Sequence, residues 1–74
     1  MKKIKPIVKK LANGGKLYEY TSGDKFYYLN GVYHRENGPA ISYSSIKEWW
    51  INGQKIPCTT QKQFEQLMRL KAFW

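Results

Sequence analysis

The sequence predicts an α+β fold: antiparallel β-hairpin repeats in a meander of about five strands, capped by a C-terminal amphipathic α-helix. Three observations carry that expectation. First, Tyr27-Tyr28-Leu29-Asn30-Gly31 recurs 22 positions later as Trp49-Trp50-Ile51-Asn52-Gly53, aromatic-aromatic-aliphatic-Asn-Gly each time. A period near 20 residues marks stacked supersecondary units, a scaffold that offers surface more readily than a cavity. Second, Asn13-Gly14-Gly15, Ser22-Gly23-Asp24, Asn30-Gly31, Asn37-Gly38-Pro39 and Asn52-Gly53 punctuate the chain at roughly 8–15-residue intervals, as in a meander. Third, Phe64, Leu67, Met68 and Lys71 or Ala72 follow helical spacing near the C-terminus.

The elements follow in order. Residues 1–15 read as a basic arm or as a first strand. Ile4, Ile7, Val8 and Leu11 match a helical stripe, but the β-branched Ile7-Val8 pair before Asn13-Gly14-Gly15 fits the first arm of a hairpin. The repeat logic favours the strand, with Pro6 near its start, where a missing donor is tolerated. Residues 16–56 hold two hairpin repeats, each reading strand, tight turn, strand, Asn-Gly. Lys16–Ser22 aligns with Pro39–Ser45 at an offset of 23, which drops to 22 once Gly23 is skipped. Strand alternation puts Tyr27 and Leu29 on one face with Trp49 and Ile51 in the second copy, and Phe26, Tyr28, Glu48 and Trp50 on the other. Both faces carry bulky groups, so a covering element serves one and the other is met by a partner or left partly wet. The covering element is the C-terminal segment 59–73, helical over about 61–72, with Thr60 and Gln63 in capping-box spacing.

All 74 residues make one small domain. A chain this short buries only about 60% of its unfolded surface, so its core must be rich in large side chains. The 3 Phe, 3 Trp and 6 Tyr meet that need. A single cysteine, Cys58, excludes an intramolecular disulfide and favours a reducing compartment. No run of seven apolar residues follows the basic N-terminus, so neither a signal peptide nor a membrane span is expected. The expected location is the cytoplasm. The net charge of +8 is unevenly placed. Lys2, Lys3, Lys5, Lys9, Lys10 and Lys16 meet no acid before residue 17, whereas the four bases and four acids of residues 17–60 cancel.

Catalysis finds little support. His34 and Cys58 are the lone histidine and cysteine, and nothing in their spacing pairs them as base and nucleophile. One of each falls short of the three or four protein ligands zinc takes. Gly14-Gly15 lacks the Lys-Ser/Thr of a phosphate loop. No catalytic residue, metal site or cofactor is expected.

The string Gly31-Val32-Tyr33-His34-Arg35-Glu36-Asn37-Gly38-Pro39-Ala40, with the two Asn-Gly phrases, resembles the "WY-x-NG-x-x-HR-x-x-GPA" repeats related to the MORN (membrane occupation and recognition nexus) type. The likeness covers residues 16–56 and looks typical of small phage and large-virus proteins. It implies antiparallel hairpin sheets and no activity in the repeat itself. In the second unit Ile56-Pro57 stands where His-Arg would be expected. That departure suggests that the array ends there, and that His34-Arg35 is inter-unit structure, hydrogen-bonding turn carbonyls.

The leading functional expectation is a non-enzymatic protein-binding module, of a phage accessory kind that modulates a host or viral macromolecule from the cytoplasm of an infected cell. Tyr28, Trp50, Tyr33 and Arg35 are its candidate contacts, since exposed Tyr, Trp and Arg dominate binding hot spots. The alternative is nucleic-acid binding, with Lys2, Lys3, Lys5, Lys9, Lys10 and Lys16 on phosphates. Against it, the aromatic repeats are neutral, so rings and lysines are not interleaved along the sequence. Anionic-membrane contact ranks last. Exposed edge strands leave symmetric pairing of two chains open.

Overall fold

The computed structural model describes residues 5–70, in which seven strands are followed by one helix. The strands are β1 (Ile7–Lys10), β2 (Lys16–Glu19), β3 (Lys25–Leu29), β4 (Val32–Tyr33), β5 (Ile41–Tyr43), β6 (Ile46–Ile51) and β7 (Gln54–Ile56), and the helix is α1 (Gln61–Leu70). The α+β meander with a C-terminal helix is thus present, with seven strands where the sequence suggested about five. The added strands are β4 and β7, which return after each Asn-Gly. Two or three residues are too few to show alternation in a sequence. Ile7-Val8 lies in a strand, which resolves the N-terminal ambiguity. Ile4, Lys2, Lys3 and the part of the expected helix beyond Leu70 lie outside the described residues.

All pairings are antiparallel, in the path β1-β2-β3-β5-β6-β7. One edge of β3 is shared: β5 pairs Lys25 and Phe26, and β4 pairs Tyr28 and Leu29. The two Asn-Gly turns explain the repeat. Leu29 pairs with Val32 and Ile51 with Gln54, leaving two-residue loops. Both central residues have positive φ, 54° and 81° at Asn30-Gly31 and 48° and 81° at Asn52-Gly53. That is the type I′ geometry which Asn-Gly adopts at least cost and which matches strand twist.

The junction between the units is a backbone splice. Beyond β4, the N–H of Arg35 donates to the carbonyl of Trp50 (3.1 Å), and the N–H of Gly53 donates to the carbonyl of Tyr33 (2.9 Å). At the far ends, the Asp24 carboxylate accepts the N–H of Ser44 (3.2 Å), tying one hairpin turn to its counterpart.

α1 covers one face of the second unit. Phe64 enters a buried cluster with Trp49, Ile51 and Ile56, and Cys58, Leu67 and Met68 pack around it. Trp49 Nε1–H donates to Gln61 Oε1 (2.7 Å), so the indole is buried without an orphaned donor. The helix start keeps half of the expected capping box. Gln63 N–H donates to Thr60 Oγ1 (3.1 Å), but Gln63 Oε1 reaches one residue further back, to the N–H of Thr59 (2.8 Å). Among the described residues the buried cluster of the helix draws only on the second unit, and the molecule is elongated at 47 × 27 × 16 Å.

Candidate functional site

Register decides which side chains meet. Lys10 pairs with Lys16, Lys16 with Tyr28, and Tyr28 with Tyr33; Val8 pairs with Tyr18, Tyr18 with Phe26, Phe26 with Ile41, and Ile41 with Glu48. Directly paired residues share a face. All of these therefore lie on the face opposite α1, along with Trp50, two positions from Glu48.

The rings on this face form one connected array across both units. Tyr28 stacks on Tyr33 (centroids 4.9 Å apart, planes 29°), and Tyr33 meets Trp50 at 5.2 Å. Phe26 stacks on Tyr43 (6.2 Å, 20°) and contacts Tyr33 (6.4 Å, 33°). Tyr18 and Tyr20 stand edge-on to Tyr28 and Phe26, at 5.1 and 5.9 Å. Aromatic pairs at these separations add about 0.5–1.5 kcal/mol each beyond their burial. The array therefore stiffens the sheet where no second layer among the described residues covers it. Trp50 Nε1–H donates to Glu48 Oε1 (3.0 Å), and Lys55 pairs with the same carboxylate (3.4 Å).

Of the expected contact residues, Tyr28, Tyr33 and Trp50 come together here and Arg35 does not. Its guanidinium carbon lies 3.9 Å from the ring centroid of Tyr27, on the opposite face, and Nη1–H donates to the Pro39 carbonyl (3.3 Å). The reason is the strict alternation of β3, which turns Tyr27 away from Tyr28. Tyr28 and Trp50 are also half-buried by their neighbours. The most open apolar groups of this face are Val8, Tyr43 and Ile46, at 49%, 39% and 42% exposure. Tyr18, Tyr20, Phe26 and Tyr43 were legible as strand residues. Their membership of one array depends on the β2-β3-β5 register.

The lysines divide by face. Lys9 pairs with Glu19 (2.9 Å) on the α1 side, where Lys25 also approaches Glu19 (3.8 Å). The Lys9 hydrogen bond first, then the charge of Lys9 and the more distant Lys25, hold the Glu19 carboxyl below its ordinary range against a small opposing desolvation. Lys10 and Lys16 lie on the aromatic face, and no acid pairs with them among the described residues. The separation of rings from lysines along the sequence is thus undone by the β1–β2 hairpin. Lys5 is exposed ahead of β1. A groove of about 570 Å³ runs along β2, lined by Lys16, Tyr18, Tyr20 and Tyr28 and by the Gly14-Gly15 and Asn30-Gly31 turns. Burial, then the Tyr33 hydroxyl and the nearby Tyr18 and Tyr20, push the Tyr28 phenol up to about 12. At neutral pH its hydroxyl is a committed O–H donor.

His34 is buried, at 5% exposure. Its Nδ1 accepts the backbone N–H of Asn52 (3.1 Å), which leaves the ring hydrogen on Nε2, facing Glu36 Oε2 (3.3 Å). It is inter-unit structure, as expected, but it accepts from a turn N–H where a carbonyl partner was anticipated. Cys58 packs by the Trp49–Phe64 cluster, and burial pushes its thiol up, away from the reactive thiolate. No group of three potential metal ligands occurs among the described residues. No described helix is long and apolar enough to cross a membrane. No family model, curated protein or solved structure matches this chain.

Proposed function

We propose that this chain is a non-enzymatic binding module that captures a protein partner on its aromatic sheet face. The observation that carries this reading is the continuous array from Tyr18 to Trp50, which no element among the described residues covers while the opposite face of the second unit is sealed by α1. Tyr- and Trp-rich surfaces with an open apolar rim are those on which binding energy concentrates. Tyr33 is the central contact, with Tyr28 and Trp50 beside it and Tyr43 and Ile46 at the rim. The likeness to viral repeat proteins adds a host or viral protein in the cytoplasm of an infected cell as the partner's setting.

Nucleic-acid binding is the second reading, favoured by Lys10 and Lys16 beside Tyr28 on the same face. Ring orientation weighs against it. Base stacking uses a free ring face, whereas Tyr28, Tyr33, Phe26 and Tyr43 turn theirs toward one another.

The test is capture from a nuclease-treated lysate by the immobilised chain and its variants. Tyr43→Ser combined with Ile46→Ser alters exposed groups and keeps the fold; Trp50→Ala removes the array's end. Loss of the same captured protein in both variants supports the reading. Undiminished capture by both, with native circular dichroism, overturns it.

A further inference from the structure

Lys10 and Lys16 form a directly opposed cross-strand pair of like charge. Such pairs are destabilising, while other lysines of the sheet have acids beside them: Glu19 serves Lys9 and Lys25, and Glu48 serves Lys55. Among the described residues nothing relieves this pair. It sits where the tyrosine groove opens, since Lys16 lines that groove and is the register partner of Tyr28.

We infer that the groove along β2 takes an acidic, carboxylate-bearing segment of a protein partner, with Lys10 and Lys16 supplying its charge complement and the hydroxyls of Tyr18, Tyr20 and Tyr28 its hydrogen-bond donors. This rests on the reading of the aromatic face as a protein-binding surface and names the chemistry of its partner. Lys16, Tyr18 and Tyr20 recur at every second residue, so the lining follows an extended chain rather than a single small anion. The donors match carboxylate oxygens, which accept hydrogen bonds and donate none. Tyrosine phenols carry their hydrogen at neutral pH, so all three can donate it. A second copy of the chain is a poor occupant, since two molecules of net charge +8 repel. A nucleic acid is disfavoured because Tyr28 already has a ring face against Tyr33, and two unpaired lysines among the described residues of this face neutralise few phosphates.

The test is fluorescence anisotropy of a labelled hexaglutamate peptide at low ionic strength, with hexaglutamine and a thymidine oligonucleotide of matched charge as comparison probes. Hexaglutamate binds and hexaglutamine does not. Lys10→Gln/Lys16→Gln weakens hexaglutamate about tenfold, while Lys47→Gln/Lys62→Gln, which removes the same charge elsewhere, stays within about twofold of the parent. Equal weakening by both pairs would reduce the effect to net charge and overturn the inference. Tighter binding of the oligonucleotide, with the same dependence on Lys10 and Lys16, would overturn it in favour of nucleic acid. If lysate capture still depends on Tyr43 and Ile46 but not on Lys10 and Lys16, the acidic groove fails and the protein-binding face stands.

Discussion

His34 occupies the place in the first unit that Ile56 holds in the second, and both are buried. The exchange of an aliphatic for an imidazole has a physical reason: Ile56 faces an apolar cluster closed by α1, whereas His34 must satisfy the N–H of Asn52 in the next unit's turn. His34→Leu restores the second unit's chemistry and orphans that N–H. The expected loss is about 1–3 kcal/mol by urea denaturation; unchanged or increased stability would show that the junction does not need the imidazole. Tyr28 makes a prediction of opposite character. Its folded pKa is raised above the ordinary tyrosine value, so the native state keeps its proton after the unfolded chain has lost it. The stabilising effect is complete below about pH 10 and declines as pH rises toward about 12. Melting temperature should fall across that window, less steeply in Tyr28→Phe. An identical alkaline profile in the two proteins would contradict the assignment. The sequence marked His34 as structural and Tyr28 as surface aromatic, but their partners, Asn52 in a turn and Tyr33 in β4, are brought near only by strand pairing.

At the scale of elements, legibility followed how local the cause is. Asn30-Gly31 and Asn52-Gly53 were readable as hairpin turns because positive φ is a property of those residues themselves. The Thr60 cap was readable for the same reason, and only its second arm, Gln63 to Thr59 instead of Thr60, departed. β4 and β7 were not readable, since their pairing depends on the strand before each turn. α1 belongs to both classes: its stripe is local, but its stability comes from the sheet beneath it. Helices of this length are marginal alone, and Phe64 is its one fully buried anchor. Phe64→Ala should cost about 3–5 kcal/mol. Far-UV circular dichroism should show α1 melting together with the second unit. Retention of the helix at the parent melting temperature would place its support elsewhere.

Across the whole molecule, stability is graded along the sheet. β1 is an edge strand whose four residues are all exposed, while β6 pairs on both sides and carries Trp49 and Ile51 beneath α1. Native-state hydrogen exchange should therefore be fastest in β1 and slowest in β6. Equal protection in the two strands would mean that the sheet opens only as a unit. The side sealed by α1 anchors the second unit, and the aromatic array carries order into the first, where no helix among the described residues covers the sheet. The sequence by itself determined the class of fold, the repeat, its turns and the final helix, because each depends on residues within a few positions of one another. Tertiary structure decided which aromatics share a face, that Arg35 leaves them for Tyr27, and that Lys10 and Lys16 join them. The physical reason is register: a shift of one residue turns every side chain of a strand to the other face, and register depends on the partner strand as well as on the strand itself.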